Sequence, residues 1–115
     1  MSQRDQGLEH LLLAATVRGA RCDYSLSCGP YITAVEERLQ LGAERYGDDA
    51  YLRRDCLREL LEETPDVGGW ALLALQCPVE AADPTVFEAL RQVMLHGALA
   101  DHHARRALHA RGPLR

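Results

Sequence analysis

Apolar residues recur every three to four positions along nearly the whole chain, with polar residues between them, and this period predicts helices and no sheet. Leu8, Leu11, Leu12, Ala15 and Val17 predict a first helix over about Gln6 to Arg18, ended by Gly19 and the polar run to Gly29. That run, ARCDYSLSCG, is the longest irregular stretch. Gly29-Pro30 opens a second helix, about Pro30 to Arg45, because proline suits the first helical position. Ile32, Val35, Leu39, Ala43 and Tyr46 form its core face, with Glu36 at the edge. Tyr46-Gly47-Asp48-Asp49 reads as a turn followed by a helix cap. The next helical stretch runs to Gln76 and ends at Cys77-Pro78, and a linker, VEAAD, leads to a cap-plus-proline start at Asp83-Pro84. Phe87, Leu90, Met94 and Ala98 carry the last helix to about Ala110. The expectation is an all-α bundle of four to five helices in a single helical domain, 1–115, with a core over about 30–78 and a C-terminal helix over about 84–110.

Composition sharpens this. The chain is 47% apolar but only 5% aromatic, so leucine and alanine must fill the core. A net charge of −4 argues against a dedicated nucleic-acid binder. There is no lysine; every fixed positive charge is an arginine, a bias that fits a GC-rich genome. The N-terminal MSQRDQGLEH lacks the order of a signal peptide, and no apolar run reaches the ~18 residues that span a bilayer. A cytoplasmic protein with reduced thiols is expected.

Candidate chemistry concentrates between Asp48 and Gln76. At about 100° per residue, Glu59, Glu62, Glu63 and Asp66 share one helix face about 100° wide. Leu57, Leu60, Leu61, Val67 and Ala71 fall on a separate apolar face. The acidic stripe continues into Trp70 and Leu73, which predicts that other protein covers it. Carboxylates at a covered edge repel one another unless a cation sits among them, and a divalent ion is the simplest candidate. Pro65 interrupts the stretch. Either the helix passes through it with a lost hydrogen bond, or Thr64 caps a second helix that starts at Pro65. The cysteines, Cys22, Cys28, Cys56 and Cys77, lack zinc-knuckle spacing and read as buried or loop thiols. His96, His102, His103 and His109 read as surface residues, because the two-turn spacing of 96/103 and 102/109 does not suit a metal pair.

The sequence EERLQLGAERYGDDAYLRRDCLRELLEETPDVGGWALLAL resembles the MazG-like all-α nucleotide pyrophosphohydrolases, especially small phage and actinobacterial members. That family carries Glu-x-x-Glu on one helix and Glu-x-x-Asp, usually preceded by another Glu, on the next. Glu62-Glu63-Thr64-Pro65-Asp66 matches the second half. Glu37-Arg38-Leu39-Gln40 stands nearest the first half, with glutamine in place of the second Glu. The likeness covers roughly Ala34 to Leu75.

The resemblance implies cleavage of a nucleoside triphosphate to a monophosphate and pyrophosphate, with Mg²⁺ (or Mn²⁺) held by carboxylates. Glu63 and Asp66 would be metal ligands, and Glu62 a ligand or the catalytic base. Glu59 belongs to the same acidic face, and Glu36 or Glu37 with Gln40 would complete the cradle. Arg58 and Trp70 would contact the nucleotide; Arg53 and Arg54 are better matched to acids one turn away. Two alternatives stand beside this reading: the same fold as a catalytically inactive binding or regulatory module, and an unrelated, phage-encoded interaction protein. In each, Trp70 and Leu73 need a cover, so at least a homodimer is expected.

Overall fold

The computed structural model describes residues 11–20, 28–47 and 49–113. Among these the protein is all-helical, with five α-helices, one 3-10 turn and no strand. The start of the first expected helix (Gln6 to His10), most of the long loop with Cys22, and Asp48 lie outside the described residues. The chain divides into two compact units, Met1–Arg54 and Asp55–Arg115.

In the first unit α1 covers 11–20 and α2 covers Gly29–Tyr46. The buried positions of α1 are Ala14 and Val17, whereas Leu11, Leu12 and Ala15, expected on the core face, are exposed. α2 begins with proline in its first turn, as expected, and buries no residue fully. Ile32, Val35 and Ala43 of its expected core face are half-buried; Leu39 and Tyr46 are exposed. Gly47 closes it at φ +93°, a conformation that favours glycine, and gives its N–H to the Ala43 carbonyl at 2.9 Å. The chain does not enter the next α-helix at Asp49. A 3-10 turn, Ala50–Arg53, intervenes, with Arg53 paired to Asp49 at 3.4 Å and the Arg54 guanidinium 5.5 Å from the Tyr46 ring centre.

The second unit is an antiparallel hairpin of two long helices, α3 (Cys56–Gln76) and α5 (Pro84–Arg111), joined through a short α4 (Pro78–Ala82). VEAAD is thus mostly helix rather than linker: Pro78 opens it, and Glu and Ala are good helix formers. Asp83 caps α5 as expected, accepting from the Thr85 and Val86 amides. The cap of α3 is Asp55, which accepts from the Arg58 amide at 3.3 Å.

Two rows of residues form the seam. On α3 they are Leu57, Leu61, Thr64, Gly68, Ala71 and Leu75; on α5 they are Leu90, Met94, Gly97, Asp101, Ala104 and Leu108. Both rows step by four and three alternately, the spacing of an antiparallel coiled coil. Gly97 is buried against Val67 and Gly68; a Cβ placed there would lie 3.3 Å from Val67 Cγ1. Four residues along, the Thr64 hydroxyl donates to Asp101 Oδ1 at 2.7 Å. At the open end, Arg111 grips Asp55 with two hydrogen bonds, 2.7 and 3.0 Å. The seam differs from the expected faces in a consistent way: Leu60, Val67, Phe87 and Ala98 are exposed, and Gly97 and Asp101 take inward places. Small residues at the centre bring the backbones together, which leaves the larger flanking side chains outside.

Candidate functional site

α3 passes through Pro65 as one helix. Thr64 is therefore an interior residue rather than a cap, and its hydroxyl is committed to Asp101. The same continuity keeps Glu59, Glu62, Glu63 and Asp66 on a single face, all exposed. Trp70 (74% exposed) and Leu73 (54%) extend that face toward the C-terminus. Among the described residues nothing covers them.

Arg58 does not reach along the helix to Glu62. Its Nε lies 3.3 Å from Asp55 Oδ2, at the cap. On α2, in the first unit, Glu37 and Gln40 are exposed and Glu36 is half-buried. The Gln40 amide nitrogen donates to Glu44 Oε1 at 3.1 Å, so the side chain is held along its own helix. Among the described residues no group of three or more His, Cys, Asp or Glu side chains is gathered as a metal site. Cys28, half-buried, and Cys77, exposed, lie at loop positions as expected, whereas Cys56 corrects that expectation as an exposed thiol on the first residue of α3. The expected surface histidines His96, His102, His103 and His109 are all exposed, with His102 and His103 edge-to-face at 5.4 Å.

The electrostatically organised groups are Asp55 and Arg111 at the open end of the hairpin and Asp101 on the seam. The Arg111 guanidinium holds the Asp55 carboxyl well below its ordinary value, at about 2, helped by the Arg58 amide and opposed by partial desolvation. Arg111 is raised in turn by the same bond. Asp101 is also lowered, first by its hydrogen bond from Arg105 and then by that from Thr64. The distances between these partners in sequence hide them: Asp55 and Arg111 are 56 residues apart.

This clasp sets a pH dependence. A carboxylate lowered from 3.8 to about 2 stabilises the fold fully above the higher value and loses that contribution as pH falls toward the lower one. Asp55→Asn keeps a good cap but removes the charge. Wild type should melt higher than Asp55→Asn at neutral pH, and the difference should vanish between about pH 4 and pH 2. A gap that is constant across that interval would mean Asp55 carries no such load.

No family model, characterised protein or solved structure matches the chain. No helix among the described residues is long and apolar enough to cross a membrane.

Proposed function

We propose that the protein is a helical assembly module whose working form is at least a dimer of itself. One observation carries this reading. The buried apolar side chains among the described residues are Ala14, Val17, Ala71 and Ala104, while Trp70, Leu72, Leu73, Leu95 and Leu99 are exposed on the two long helices. Burial of apolar area is the main favourable term in folding, and a hairpin that leaves its largest side chains in water forgoes most of it. A second helical surface would recover it. Sedimentation at micromolar concentration should give a mass of two or more chains. A monomer across that range, with a cooperative melt, overturns the proposal.

The carboxylate face favours a second reading: a MazG-like, Mg²⁺-dependent nucleoside triphosphate pyrophosphohydrolase. Glu59, Glu62, Glu63 and Asp66 keep one exposed face and meet no cationic side chain among the described residues. An all-carboxylate donor set suits a hard cation such as Mg²⁺ or Mn²⁺. In this reading Glu59, Glu63 and Asp66 of α3 would hold the metal, which supplies charge neutralisation for the phosphates, and Glu36, Glu37 and Gln40 are the further donors that the sequence resemblance implies. Gln40 has its amide nitrogen on Glu44 and a carbonyl oxygen to offer. Glu62 would take the proton of the attacking water, and Arg58 and Trp70 would contact the nucleotide. Mg²⁺-dependent release of pyrophosphate from a panel of nucleoside triphosphates, lost in Glu63→Gln and Asp66→Asn, is the expected outcome. No release from any of them leaves only the assembly module.

A further inference from the structure

The outer faces of α3 and α5 match each other. At about 100° per residue, Glu59, Glu62, Asp66, Trp70 and Leu73 lie within a sector about 80° wide, opposite the seam row of α3. On α5, Leu95, Leu99, His102, Arg106 and His109 lie within a sector of about the same width, away from its own seam row. All ten are exposed. From N- to C-terminus the first stripe runs from acid to apolar, and the second runs from apolar to basic. Laid antiparallel, they pair acid with base and apolar with apolar. The spacing agrees as well: Glu59, Glu62 and Asp66 step by three and four, as do His109, Arg106 and His102, and each whole stripe spans fifteen residues. Among the described residues, no side chain of Glu59, Glu62, Asp66, Arg106 or His109 meets an opposite charge.

We infer that the outer face of α3 docks on the outer face of α5 from a second copy of this chain. This rests on the assembly reading above and names its interface. Within one chain the two stripes point away from each other across the hairpin, so they cannot pair with themselves. Charge complementarity selects the second copy as the occupant, and the antiparallel orientation is the one already used inside the hairpin, where Thr64 meets Asp101. In that register Glu62 faces Arg106, Asp66 faces His102, and Trp70 and Leu73 cover Leu99 and Leu95. The contact is heterologous: each copy gives one face and keeps the other. Copies therefore add head to tail, until a ring closes or a chain runs on.

A charge swap tests this on the full-length protein. Glu62→Arg and Arg106→Glu, each alone, should weaken association about ten-fold or more in sedimentation, because each brings like charges together. The double variant should restore it, since every contact then has the reversed pair. Circular dichroism will check that each variant is folded; both positions are exposed and away from the seam. If the wild type associates but neither single change weakens it, or the double change does not rescue, the interface inference is overturned while the assembly reading stands. A wild type that stays monomeric removes both.

Discussion

Replacing Gly97 by leucine will pry α3 from α5. The Cβ alone would stand 3.3 Å from Val67 Cγ1 and 3.8 Å from the Gly68 nitrogen, before the rest of the side chain is placed. Overfilling a packed contact costs about 1–3 kcal/mol, and here the obstacle includes backbone, which cannot rotate aside. For a unit this small each lost kcal/mol lowers Tm by about 4–8 °C, so thermal unfolding followed by circular dichroism will read the effect directly. Two controls fix its cause. Gly68→Ala adds a methyl that meets nothing within 4 Å, and it should stabilise by about 0.5–1 kcal/mol because alanine is the better helix former. Gly97→Ala should fall near zero, with the same helical gain offset by the tight contact. If Gly97→Leu melts with the wild type, the two helices do not cross at this point.

Pro65→Ala will act in the opposite direction and by as much. Proline inside a helix lacks the N–H that should bond to the Leu61 carbonyl, and its ring crowds that carbonyl; the cost is about 3 kcal/mol relative to alanine. Pro65 is exposed, so the change removes no buried contact. A gain of about 1–3 kcal/mol is expected in chemical denaturation. An unchanged midpoint would mean that α3 is in effect two helices meeting at Thr64.

Most of the architecture is legible in the residues. Gly47 and Asp83-Pro84 mark helix ends because each does something few other residues can: glycine takes a positive φ, aspartate accepts from free amides, and proline needs no donor in the first turn. The acidic stripe is legible too, since it depends only on the turn angle of one continuous helix. The seam is harder. Asp101 looks like a surface residue until Thr64 and Arg105 are seen to satisfy it, and Gly97 looks like a weak point rather than a place of closest approach. Both judgements require knowing which helix lies opposite. Asp55 stands one turn from Arg58 in the sequence, but its second partner, Arg111, lies at the far end of α5. The carboxylates divide the same way. Those on α3 share a face by local geometry, whereas Glu36, Glu37 and Gln40 belong to another unit, and no local rule says what they face.

The Asp55–Arg111 clasp has a topological meaning. The first residue of the hairpin and the last turn of its final helix are held within a hydrogen bond's length, so the polypeptide enters and leaves this unit at one place. A loop of a few small residues could join those two points, and the chain could be reopened at the opposite tip, where Cys77 and Asp83 flank α4. The unit is in that sense already a circle with one gap.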